Sequence, residues 1–207
     1  LPAYQTASGC TDIILHTMER YFIKENNMDI TDGFAESLMR TVMKHTRKLM
    51  KEPDNYESRA EVMWAGSLSH NDITGSRSFG DWACHQLEHE LSGMYKVAHG
   101  AGLAAVWGSW ARYVYQEEPS RFAQYARNVM GIREENDVAC ALAGIEATEQ
   151  FFKEIGMPTS IHEMGITLCE EDIRTLAWKC SFEDERTIGC FKVLKKADME
   201  AIYRIAK

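Results

Sequence analysis

The sequence predicts an all-α protein, and three observations carry that prediction. Apolar residues recur at helical spacing in almost every segment, and no stretch shows the strict alternation of a half-buried strand. Only four prolines occur in 207 residues, and they fall where helices begin or stop. No internal repeat and no linker interrupts the pattern, so residues 1–207 read as one multi-helix domain.

The elements follow in order. Thr11 or a nearby small polar residue caps a first helix through Asp12, His16, Glu19 and Phe22. Ile13, Leu15 and Met18 make this helix apolar enough to be buried, and Asn26 and Asn27 end it. Thr31 or Asp32 opens a second helix with Phe34, Leu38, Val42 and Leu49 on its apolar stripe, and Pro53 stops it. A third runs from about Tyr56 to Leu68, with Ala60, Met63 and Trp64 facing inward. The stretch Asn71 to Gly80 is loop by composition. A helix then carries His85 and His89, Ser92 and Gly93 offer a break, and the next helix runs from near His99 to about Tyr115. Pro119 and Ser120 open the helix over Arg121 to Met130. Asp137 to Ile155 is a long helix ending at Gly156, with Pro158 beyond. Glu170 to Trp178 and Ala197 to Ile205 complete the set, and Thr187-Ile188-Gly189 form a turn between them.

Composition narrows the function. The balance of 45% hydrophobic and 26% charged residues is that of a globular chain rather than a disordered one. A net charge of −8 repels phosphate backbones, which argues against a nucleic-acid partner. No apolar run approaches the ~18 residues needed to span a membrane. Six cysteines without a CxxC pair read as reduced thiols, which points to a cytoplasmic protein. The first residue is Leu1, and a helix signal follows within ten residues, as expected of a piece of a longer protein.

The chemistry concentrates in five residues. Asp12 and His16 stand at i and i+4, on one helix face. His85 and His89 repeat that spacing, and His99 follows. A carboxylate with imidazoles suits Fe²⁺ or Zn²⁺ and leaves a position open for substrate. Spacing alone does not say which of His85 and His89 is a ligand. A continuous helix would hold His85 and His99 about 21 Å apart at ~1.5 Å per residue, so a shared ion requires a break between them. The HExxH arrangement of metalloproteases is absent. Gly100 to Ala105 spells GxGxxA, but without a preceding strand it serves close helix packing rather than dinucleotide binding. His45, His70 and His162 read as ordinary surface or loop histidines, and Cys84 as a core thiol.

Two longer segments carry a resemblance. PAYQTASGCTDIILHTME, from Pro2 to Glu19, resembles the first signature of iron-containing alcohol dehydrogenases. WACHQLEHELSGMYKVAHGAG, from Trp82 to Gly102, resembles the second. MWAGSL at Met63 to Leu68 and Thr187-Ile188-Gly189 are similar to the butanol dehydrogenase group, and the likeness covers essentially the whole chain. Asn71-Asp72 departs from the Asn-Gly expected there. The resemblance implies the helical C-terminal domain of that family, of the dehydroquinate synthase-like type. It implies that Asp12, His16, His85 and His99 hold a divalent metal, Fe²⁺ or Zn²⁺, and that His89 is a further active-site residue. It implies an alcohol or aldehyde substrate, a homodimer at full length, and NAD(P) held by an N-terminal domain outside this chain. The span by itself would then be inactive.

Two other functions compete. A metal-dependent hydrolase would use the same ligands to activate water, with Glu88 as general base. A metal-free helical interaction domain would leave the histidines without a common role.

Overall fold

The computed structural model describes residues 1–24, 28–75 and 80–207. The described chain is helical, with one isolated antiparallel bridge between Ile188 and Leu194 and no strand among the described residues.

Helix α1 (Ala3–Tyr21) begins eight residues before Thr11. Thr11 Oγ1 donates back to the Ala7 carbonyl, so it sits in the helix interior and caps nothing. The ending assigned to Asn26 and Asn27 lies outside the described residues. Helix α2 (Asp29–Lys51) opens before Thr31 and Asp32. Asp32 is instead buried and accepts two hydrogen bonds from Arg121, at 2.5 and 2.7 Å. Leu38, Val42 and Leu49 form the buried stripe, whereas Phe34 is 54% exposed.

Helix α3 (Tyr56–Ser69) is capped by Asn55, whose side chain accepts from the Ser58 amide. Its buried positions are the small residues Ser58, Ala65 and Ser69, which let it lie against α2. Met63 and Trp64 therefore face outward, 75% and 63% exposed, contrary to the inward placement that their size suggests.

Helix α4 (Ala83–Tyr95) and helix α5 (His99–Val114) are separate, as a shared metal requires. The break is at Lys96 to Ala98 and not at Ser92-Gly93. Helix α4 runs on through Gly93, Ser92 is tied to Glu88 one turn back, and the chain turns at Lys96 with φ 55°. Helix α5 is buried from Gly100 to Ala111 and packs against α1, α4, α7 (Asp137–Glu154) and α9 (Lys196–Ala206). Its small residues permit this. A β-carbon on Gly100 would overlap the Ser8 carbonyl of α1, and one on Gly102 would meet the Glu88 side chain of α4. The GxGxxA stretch is thus a packing device.

Helix α6 (Pro119–Asn128) packs along α7, and α8 (Glu170–Cys180) pairs with α9. Gly189 turns with φ +81°, and Asp81 accepts from the amides of Cys190 and Phe191 at 2.7 Å each, which seats this turn beside α4. Phe22, Trp110, Phe122 and Phe191 form an aromatic centre, with Phe22 and Phe122 stacked at 4.3 Å. No described helix is long and apolar enough to cross a membrane.

Candidate metal centre

The centre forms where α1, α4 and α5 meet. Asp12 and His16 share one face of α1, His85 and His89 share one face of α4, and His99 is the first residue of α5. Asp12 is the common point. Its Oδ1 lies 3.6 Å from His16 Nε2, 3.6 Å from His85 Nε2 and 3.4 Å from His99 Nε2. Four donors at ~2.1 Å from a tetrahedral ion stand about 3.4 Å apart, so these separations match those of shared ligands.

Donor atoms within metal-binding reach fall into triads. Asp12, His85 and His99 make one, and Asp12, His16 and His70 make another. Sequence reasoning missed His70 because it comes from the end of α3, with no local spacing to mark it. Its ring packs against His16 at 3.8 Å between centroids, tilted by 32°, and its Nε2 is 3.9 Å from Asp12 Oδ2. Glu88, His89 and His99 form a third group. His89 is exposed, with its ring stacked on His99 at 5.5 Å and 6.3 Å from His85.

Two buried carboxylates set the imidazole orientation. Glu19 Oε1 accepts from both the backbone amide and Nδ1 of His85, at 3.0 Å each. Glu88, fully buried, accepts from Ser92 Oγ and His99 Nδ1. A carboxylate only accepts, so in both rings Nδ1 carries a hydrogen, and once the ring is neutral Nε2 presents its lone pair toward Asp12. Glu19 is seven residues after Asp12, on the same helix face, a spacing that would have identified it. Glu88 had no such signal.

Charge follows this arrangement. Burial pushes Asp12 up, but the surrounding His85, His99 and His16 outweigh it and hold the carboxyl well below its usual range. Burial and the neighbouring His85 lower His16 to about 3, against the pull of Asp12. Burial lowers His85, but Asp12 and Glu19 leave it raised. Asp12 and Glu88 raise His99 to about 10. Burial lowers His89.

The donor set fits a divalent cation. Asp12 Oδ1 and His85 Nε2 are buried atoms without a hydrogen-bond partner among the described residues, and both point into the centre. Buried polar atoms are normally partnered, and a carboxylate facing lone pairs of oriented imidazoles is stabilised by a cation between them.

Comparison with known proteins gives the same direction. The family model described as Fe-containing alcohol dehydrogenase family, C-terminal, matches residues 6–207. The chain is 34% identical to NADH-dependent butanol dehydrogenase A of Clostridium acetobutylicum, over 99% of this chain and 52% of that protein. It is 37% identical to the NADPH-dependent aldehyde reductase YqhD of Escherichia coli, over 80% of this chain and 43% of that protein. The solved structure of NADH-dependent butanol dehydrogenase A from Thermotoga maritima superposes with TM-score 0.93 at 36% identity, covering all of this chain and 53% of that one. The chain spans about half the length of the curated relatives it matches.

Proposed function

Since the chain belongs to the iron-containing alcohol dehydrogenase family, we propose that it is the metal-holding part of an NAD(P)-dependent alcohol dehydrogenase that interconverts small alcohols and aldehydes. The observation that carries this reading is the convergence of His16, His85 and His99 Nε2 on Asp12 Oδ1 within 3.4–3.6 Å. Asp12, His16, His85 and His99 would hold Fe²⁺ or Zn²⁺. Bound there, the ion would act as a Lewis acid toward an alcohol or aldehyde oxygen.

The chain's own residues have distinct tasks. Asp12 supplies the negative charge. Glu19 and Glu88 hold His85 and His99 in the Nδ1–H form and keep both rings aimed inward. His99 is 37% exposed and His85 5%, so substrate approaches from the His99 side. His89 stands on that side, stacked on His99. With its pKa lowered, it is neutral near pH 7 and able to take or return a proton. The nicotinamide dinucleotide, as hydride partner, is assigned to the part of the enzyme outside this span, which on its own would be inactive. We assign the intact enzyme to the cytoplasm as a homodimer.

The hydrolase reading lacks its base, because Glu88 is fully buried and engaged by Ser92 and His99. The metal-free reading leaves the buried, unpartnered donors Asp12 Oδ1 and His85 Nε2 without purpose. An NAD(P)H-linked assay of the intact protein on short aldehydes tests the proposal, together with metal analysis of two variants. His85→Ala should lose the ion, whereas His89→Ala should keep it and lose turnover. Equal metal loss in both, or no aldehyde reduction by metal-loaded protein, would overturn the assignment.

A further inference from the structure

We propose that His70 is a fifth protein ligand, which joins Asp12 and His16 on the side of the metal centre away from His99. This rests on the reading that the centre holds a divalent ion. It concerns a residue outside the four-ligand set.

Geometry leaves His70 Nε2 available. Its Nδ1 lies 2.9 Å from the Gly66 carbonyl and 2.7 Å from Ser69 Oγ, and a metal on Nε2 would select the tautomer that donates Nδ1–H to these acceptors. The lone pair is then on Nε2, and Nε2 faces Asp12 Oδ2 at 3.9 Å. Lone pair against carboxylate is repulsive unless a proton or a metal cation lies between them. His85 and His99 show the same relation to Asp12, each with Nδ1 held by an acceptor and Nε2 aimed at the carboxylate. A separation of 3.9 Å lies between the ~3.0 Å of adjacent donors and the ~4.2 Å of opposite donors around a five- or six-coordinate ion with bonds of ~2.1 Å.

His70 is also held in place. Arg20 Nη1 donates to the His16 carbonyl and to the Ser69 carbonyl, at 2.9 Å each, and Arg20 Nε and Nη2 donate to Asp72 Oδ1. One guanidinium therefore ties α1 to the end of α3 and keeps the His70 ring packed against His16. Asp72 takes φ 65°, which aims its carboxylate at Arg20 at the position where Gly was expected. At 44% exposure the His70 side chain is the most open imidazole around Asp12. An ion arriving from solvent meets the triad of Asp12, His16 and His70 before it reaches His85, which is 5% exposed.

Cobalt(II) reports this directly, because its visible absorption is weak in five-coordinate sites and stronger in tetrahedral ones. The intact protein, stripped of metal, would be titrated with Co²⁺ as wild type, His70→Leu and His70→Gln, and each loaded form then mixed with a chelator. We expect one ion per chain in all three. We expect a stronger, tetrahedral-type spectrum in both variants, and release to chelator at least tenfold faster. Matching melting temperatures of the metal-free forms show that the variants fold. Wild-type spectra and release rates in folded variants would overturn the role of His70 alone. Failure of the wild type to bind Co²⁺ would overturn the metal centre itself, and His70's role with it.

Discussion

Gly102→Ala tests how closely packing and metal binding are linked. A β-carbon at Gly102 would lie 2.5 Å from Glu88 Oε1 and 2.8 Å from Glu88 Cγ, whereas such contacts are not made under 3.0 Å. Glu88 must retreat by about 0.5 Å, because the buried contact tolerates no overlap. Its carboxylate holds His99 Nδ1, so the retreat carries His99 away from Asp12 or releases it. Metal sites tolerate roughly ±0.2 Å in ligand distance, so a shift of this size exceeds the margin. Loss of an orienting partner costs about 10–100-fold in metal affinity. The stability cost is smaller. Overpacking costs ~1–3 kcal/mol, and replacing helical glycine with alanine returns ~1 kcal/mol. Gly93→Ala is the matched control, since Gly93 lies in α4 with nothing within 4 Å of its would-be β-carbon. It should raise stability by ~0.5–1 kcal/mol and leave affinity unchanged. Chelator competition gives affinity, and thermal melts of the metal-free forms give stability. Wild-type affinity in Gly102→Ala would refute the chain of argument from Gly102 through Glu88 to His99.

Three further outcomes follow from the same geometry. Glu88→Gln lets either a carbonyl or an amide face His99 Nδ1, so metal affinity should fall about 10–100-fold while the helical circular dichroism signal is kept. Arg121→Met leaves Asp32 buried with only the Gln124 amide, and denaturant unfolding should show a loss of about 3–5 kcal/mol. Asp81 is raised to about 7 by burial first and the Glu19 charge second, against three backbone amides that favour its ionised form. A carboxyl with a raised folded pKa loses stability as pH climbs from its unfolded value of ~3.9 through about 7. Asp81→Asn removes that slope, so its deficit in melting temperature should be smaller at pH 7.5 than at pH 5; an equal deficit at both would contradict the shift.

The helices were legible because periodicity and terminal signals act locally. Pro53, Pro119 and Gly156 marked their boundaries well. The start of α1 was hidden because Pro2 precedes it with no side-chain cap, and Thr11 looks like a cap although it bonds within the helix. Met63 and Trp64 misled because size was taken for burial, whereas α3 packs through Ala65 and two serines. The break between α4 and α5 was required by the shared ion but misplaced at Gly93, because the left-handed turn falls on Lys96, a residue that gives no compositional sign. In the site, Asp12 with His16 and His85 with His89 are visible as i, i+4 pairs. Glu88 and His70 are not, since their roles exist only once α3, α4 and α5 are assembled.

The central claim is that one divalent ion is held by Asp12 and the imidazoles of His16, His85 and His99. X-ray absorption of the metal-loaded intact protein measures this most directly. The account predicts nitrogen and oxygen donors at about 2.0–2.1 Å, with the outer-shell scattering of three or more imidazoles. Sulfur scattering near 2.3 Å, or a shell of oxygens without imidazole, would contradict it.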